Sequence, residues 1–324
     1  MRIQGLRFGF VGLLVLFMAM ALRASSAPTA VQDSLDRALA DERHAFAFYE
    51  AVLTKHGERK PFSNIVHAED RHENALLAQY ERLGLTPPAN AWADHAFEVP
   101  DSFAEACDQS VVAEVRNARM YDELIAACDD EQVRAVFERL KAASVERHLP
   151  AFSRHGSGWT GVEEAALTEA QRKQLERATS ARDAMYKAVL GELMMGMADG
   201  GASGAVEVCS KRAPLIAKEV SESRGVEIGR TSWKLRNQDN APPTWAALLI
   251  DERPEAPKYM ANPAGEFGAL LPIRVAGTCL QCHGKLEQLD PRVRDQLARL
   301  YPEDQATGFA SGDLRGWFWV TVGP

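Results

Sequence analysis

A chain of 324 residues that is 46% hydrophobic, 25% charged and 8% aromatic is not a disordered, collagenous or polytopic membrane protein. At roughly 150 residues per domain it has room for about two cores. With 45 acidic against 37 basic side chains the formal charge is −8, a poor match for a nucleic-acid backbone, and no nucleic-acid partner is expected.

Arg2 and Arg7 precede a 14-residue apolar run, Phe8 to Ala21, and small residues Ala24 to Ala27 follow. That is the pattern of a secretory signal, and the run is shorter than the ~20 residues a spanning helix needs. The chain is therefore read as exported to the periplasm with cleavage near Ala27. Loss of Arg2, Arg7 and Arg23 leaves the mature chain at −11, with no second apolar run to span a membrane.

Residues 28–155 show periods of three and four and almost no strand-like alternation, the pattern of an all-α bundle. Four helices fit, over about 31–56, 61–84, 101–128 and 130–153, with Pro61 and Gly84 marking the ends of the second. The Pro-rich stretch TPPANAWADHAFEVP joins the second to the third as a long crossover. Cys107 and Cys128 lie 21 residues apart on one predicted helix, ~32 Å along its axis, too far for a disulfide. Both are read as buried thiols on a stripe with Glu114 and Tyr121.

Each predicted helix carries a metal-ligand type on its apolar stripe: Glu42 on the first, Glu69 and His72 as Glu-x-x-His on the second, Glu114 on the third and His148 on the fourth. Three carboxylates in an apolar core cost several kcal/mol each unless a shared partner compensates them. Iron or another transition metal is the expected partner. The ferritin-like carboxylate plan has one further glutamate, three residues before the last histidine. Here Val145 stands there, Glu146 points elsewhere, and Ser144 is on the correct face but is a weak ligand, so one tightly held ion is expected. His44, His56, His67, His95 and His155 fall outside this set and are read as solvated. Through these residues and the closing stretch SVERHLPAF, the half resembles an uncharacterised bacterial family of ferritin-like four-helix bundles.

GSGWTG at 156–161 breaks the pattern, and 156–174 is read as a linker. Residues 175–324 are expected to be α+β: a helix over about 168–198, then a mixed region rich in Gly and Pro, ending in the strand signal GWFWVTV at 316–322. Within it, Cys279-Leu280-Gln281-Cys282-His283 is the attachment pattern of c-type haem. Two thiols at this spacing add to the two vinyl groups of one porphyrin, and the adjacent histidine becomes the proximal iron ligand. A redox Cys-x-x-Cys or half a zinc site fits less well, because neither the strand-to-helix setting nor a second ligand pair accompanies it. For the opposite ligand the spacing leaves Cys209 open against Met194, Met195 and Met197.

Four stretches, VEVCSKRAPLIA, IGRTSWKLRNQDNAPPTWAALL, LPIRVAGTCLQCHG and YPEDQATGFASGDLRGWFWV, resemble a family of single-haem c-type proteins with a PAS-like domain, first seen in cyanobacteria. The resemblance implies His283 as proximal ligand and Cys209 opposite it. It also implies that Arg230, Arg236 and Asn237 lie near the haem as candidates to hold its propionates. Gln238 stands where the family usually has proline. The whole is expected to be an exported redox metalloprotein with one covalent haem c and a metal-binding bundle, exchanging electrons with a partner protein or a small oxidant. A haem-based sensor and a haem-coupled oxidase or peroxidase are the alternatives, and neither catalysis nor oligomeric state is legible.

Overall fold

A computed structural model describes residues 30–324, so the expected signal segment lies outside the described residues. Four helical rods open the chain: α1 (Ala30–His56), α2 (Phe62–Leu83), α3 (Phe103–Ala127) and α4 (Glu131–Ala143), the last continued by a π-turn, Ser144–His148, and α5 (Leu149–Ser153). The caps follow the local chemistry. Gly84 ends α2 in the left-handed region at φ 65°, where a side chain would be strained. Ser102 accepts from the Glu105 amide at the start of α3, and Asp130 accepts from the Gln132 and Val133 amides at the start of α4.

Side-chain pairs set the helix directions. Arg43 meets Glu73 and Tyr80 meets Asp36, so α1 and α2 are antiparallel. Tyr121 meets Glu42 and Tyr49 meets Glu114, so α1 and α3 are antiparallel too. Lys141 meets Asp122 and His148 meets Glu114, which reverses α4 against α3. The order is up, down, down, up, and only a crossover running the length of the bundle can join α2 to α3. His44, Trp92, His95 and Phe97 pack ring against ring along that crossover, and His56 bonds the Pro100 carbonyl. His44 and His56 are therefore half-buried packing residues, not the solvated histidines expected.

The fourth helix departs from the expected continuous rod. Pro150 has no N–H to donate, and the Leu149 amide bonds the Ser144 carbonyl five residues back, the hallmark of a π-turn. The extra residue rotates the helix, so Ser144 and His148 face inward while Val145 is 43% exposed. Cys107 and Cys128 are both buried and unpaired, as expected.

The remainder is a five-stranded antiparallel sheet with helices packed on it. The strands are β1 (Thr160–Val162), β2 (Glu227–Thr231), β3 (Lys258–Ala261), β4 (Phe267–Arg274) and β5 (Leu314–Val322), in the order β1-β3-β4-β5-β2. The stretch expected as a linker therefore contributes the edge strand β1, paired to β3 about a hundred residues away. It is also tied to the bundle, since the Ser157 amide donates to Asp108 on α3.

The helix expected over about 168–198 runs on as α6 (Glu169–Arg224), interrupted at Gly200 and Gly201. There the chain doubles back: Glu192 pairs with Arg212, Ser180 with Arg224, and Gly196 lies against Gly204 and Ala205. This helical hairpin covers one face of the sheet, burying Met185, Ile216, Phe318 and Val320 together. Trp245 of α7 (Thr244–Glu252) and Trp317 pack on the other face. The Arg116 guanidinium on α3 meets Asp251 on α7 through two N–O contacts at 3.0 and 3.1 Å, so the bundle rests on the sheet domain. Among the described residues, no helix is long and apolar enough to cross a membrane.

The crossing of β2 and β5 is tight. A Cβ on Gly316, at φ 155°, would lie 2.2 Å from the Thr231 carbonyl oxygen. Gly316→Ala should therefore cost at least about 2 kcal/mol, from overpacking and backbone strain together. Denaturant unfolding reads this, and an unchanged midpoint would show that the crossing relaxes freely.

Candidate functional site

The five expected bundle ligands converge. Glu42, Glu69 and His72 form one buried triad and Glu69, Glu114 and His148 a second, with Glu69 common to both. The two oxygens of Glu69 divide between them: Oε2 lies 2.8 Å from His72 Nδ1 and Oε1 lies 3.2 Å from His148 Nδ1. Glu42 Oε2 is 3.0 Å from His72 Nδ1, and Glu114 Oε1 is 3.2 Å from His148 Nδ1. The two imidazoles lie nearly parallel, 5.5 Å apart. Each Nδ1 carries at most one proton yet faces two carboxylates, so acceptors outnumber donors on both sides of Glu69. A cation satisfies that donor set better than a proton does, and the residues fit a transition metal.

The titration behaviour has the same origin. Burial opposes charge on His72 and His148, but hydrogen bonds to two carboxylates each outweigh it and push them up to about 9 and about 10. Burial, aided by the Glu69 charge, raises Glu42, whereas Glu69, also buried, is held low by its two histidine partners. Asp41 is pushed up to about 6, chiefly by burial.

A surrounding layer was not read from the sequence as part of the site. The Tyr121 hydroxyl donates to Glu42 Oε1 at 2.5 Å, and the Tyr49 hydroxyl donates to Glu114 Oε1 at 2.7 Å. Each tyrosine follows a ligand by seven residues on its own helix and serves the ligand of the other. That repeated Glu-x6-Tyr spacing was the available signal. Ser144 donates to Asn117, whose amide donates to Asp41. Ser144 thus occupies the inward position of the π-turn but is already engaged. Val145 faces outward, so its lack of a carboxylate removes no ligand from the interior.

In the sheet domain, Cys279 closes a 3₁₀ turn and Cys282 and His283 lie on α8 (Leu280–His283). His283 Nδ1–H donates to the Ala306 carbonyl at 2.7 Å, which leaves Nε2 for an iron. Burial first, and then Arg236, Arg315 and Arg230, keep this imidazole well below its ordinary range and hence neutral, as a ligand must be. Cys209 is half-buried within reach of Arg230, Arg236 and Tyr301; burial raises its thiol while the two arginines pull it down.

The expected propionate holders separate into two kinds. Arg236 is taken: its Nε meets Asp304 at 3.1 Å and its Nη2 donates to the Cys282 carbonyl at 2.6 Å, so it fixes the backbone of the motif. Asn237 accepts from the Asp239 amide as a local cap. Arg230, by contrast, has a buried Nε with no partner, and so does Arg315, which the sequence reading did not single out. Two orphaned guanidinium nitrogens beside a Cys-x-x-Cys-His histidine are what a haem with two carboxylates would satisfy, and the residues fit that group.

No curated protein matches the chain. A cyanobacterial haem protein, Tll0287, is similar at 25% identity over 47% of this chain and 95% of its own, with a TM-score of 0.36. A hypothetical protein of Methanococcus jannaschii is 20% identical over 41% of this chain and 83% of its own, with a TM-score of 0.36. A conserved hypothetical protein of Mycobacterium tuberculosis is 18% identical over 41% of this chain and 95% of its own, again with a TM-score of 0.36. The model of the Tll0287-like family matches residues 160–323, which takes in β1, the helical hairpin, the Cys-x-x-Cys-His turn and all of β5, and the chain belongs to that family.

Proposed function

We propose that the chain is an exported redox protein in which a covalently bound haem c and a ferritin-like bundle metal centre exchange electrons. The carrying observation is His283, neutral and with Nδ1 committed to the Ala306 carbonyl, set directly after the two thiols that would bond the porphyrin. When bound, the haem supplies one-electron chemistry and the bundle metal a second redox centre. The chain's own part is to orient and enclose them. Arg236 holds the motif backbone, and Cys209 stands among cations that would favour its thiolate once iron binds. Met194 and Met195, 57% and 56% exposed, are poorer candidates to hold the iron with His283.

The up, down, down, up order with its long crossover supports the ferritin-like reading. The split of the Glu69 oxygens favours two ions rather than the one expected from sequence. Docking of α3, which carries Glu114, onto α7 through Arg116 keeps the two centres on one body. Localisation to the periplasm rests on the signal pattern, and a redox protein or a small oxidant remains the proposed partner.

The test uses the mature full chain. Haem stain should stay on the polypeptide in a denaturing gel, and metal analysis should find about two ions per chain beyond the haem iron. Anaerobic reduction followed by limiting peroxide should reoxidise the haem faster than in a Glu69→Gln variant. Absence of stain would overturn the haem assignment, less than about half an ion the metal centre, and equal rates the coupling.

A further inference from the structure

Three guanidinium groups crowd the neighbourhood of His283. Arg236 is neutralised by Asp304, and the pair is largely enclosed, with side chains 13% and 10% exposed. Arg230 on β2 and Arg315 at the start of β5 have no such partner. Arg315 Nη1 donates to the Lys234 carbonyl, but its Nε is buried and bonded to nothing, and the same is true of Arg230 Nε. The charged and titratable groups facing Arg315 are Arg236, Arg230, Asp304, Cys279 and His283, and the one carboxylate among them is already bound to Arg236; Arg230 also faces Cys209, Tyr301 and His283. Burial of guanidinium nitrogens without a counter-anion is unfavourable. Cys209 faces Arg230, but among the described residues no carboxylate pairs with either arginine, so the two at one end of the sheet can take negative groups from outside the polypeptide. Their forks suit carboxylates in particular, because paired N–H donors match two oxygens.

We infer that Arg230 and Arg315, and not Arg236, seat the two carboxylates at the edge of the tetrapyrrole held at His283. The assignment rests on the haem reading above and adds Arg315 to the haem-holding residues. Thioether bonds would keep the haem on the chain in either variant, so these arginines are positioning residues and retention is not their test.

The experiment measures the haem midpoint potential of the mature, haem-bearing chain from pH 4.5 to 8.5, with the ferric spectrum recorded alongside. In the wild type both carboxylates stay ionised and the potential is flat. In Arg315→Gln one carboxylate should bind a proton at least tenfold more tightly, so the potential rises as the pH falls, because removing a negative charge favours the ferrous state. Arg230→Gln should do the same, and Arg315→Lys should restore most of the flatness. If Arg315→Gln does not accumulate, Arg230→Gln and Arg315→Lys decide. A profile in Arg315→Gln that superposes on wild type overturns the assignment. A wild-type potential that moves on adding inorganic phosphate would assign the two arginines to a free anion instead. Absence of covalent haem in the wild type would defeat the haem reading itself, an outcome distinct from all of these.

Discussion

Glu69→Ala is expected to empty the bundle of metal completely, whereas Glu42→Ala and Glu114→Ala should each remove about half of it. The difference follows from where the carboxylate oxygens go. Glu42 serves only the His72 side and Glu114 only the His148 side, but Glu69 gives one oxygen to each. Removing it leaves two imidazoles with one carboxylate apiece, too few protein ligands for a tightly held transition metal. Loss of a partner from a buried ion cluster also costs about 3–5 kcal/mol in the metal-free protein. Glu69→Gln, which keeps the volume and one oxygen, separates loss of metal from loss of fold. Elemental analysis with circular dichroism on all four proteins reads both quantities. Equal metal in Glu69→Ala and Glu42→Ala would contradict the shared role of Glu69.

Cys209→Ala should convert the ferric haem from a low-spin to a high-spin spectrum and raise its midpoint potential. An anionic thiolate stabilises the ferric state, so its removal favours ferrous iron. The expected rise is on the order of a tenth of a volt or more, within the ~0.8 V that axial ligation spans. Burial alone would keep this thiol protonated, and Arg230 and Arg236 are the groups positioned to offset that. Met194→Leu, Met195→Leu and Met197→Leu should leave the spectrum unchanged. A spectrum that follows a methionine and ignores Cys209 would reverse the assignment.

Features that depend on contiguous residues or on helical period were legible in the sequence. The attachment pattern of c-type haem is two thiols and a histidine within five residues, so Cys279, Cys282 and His283 spell it without any fold. Glu42, Glu69, His72, Glu114 and His148 were found because a 3.6-residue period places a lone polar group on an apolar stripe in plain view. The all-α and α+β halves follow from the same periodicities, and the long Pro-rich crossover from composition.

Tertiary structure decided what depends on partners far along the chain. The segment around Gly156–Gly161 reads as a linker because its turn residues are local, yet β1 exists through pairing with β3 about a hundred residues later. Gly200 and Gly201 read as part of a mixed region, although the helix resumes beyond them once its two arms can bury Met185 against Ile216. The π-turn before Pro150 cannot be seen in a helical wheel, which assumes a constant rotation per residue, so Val145 was counted at an inward position it does not hold. The reciprocal bonds of Tyr49 and Tyr121 needed the antiparallel register of α1 and α3. The three arginines are alike as residues. Only the fold brings Asp304 and the Cys282 carbonyl to Arg236 and leaves the Nε of Arg230 and of Arg315 buried without a partner, because hydrogen-bond satisfaction is set by which distant groups the chain brings into reach.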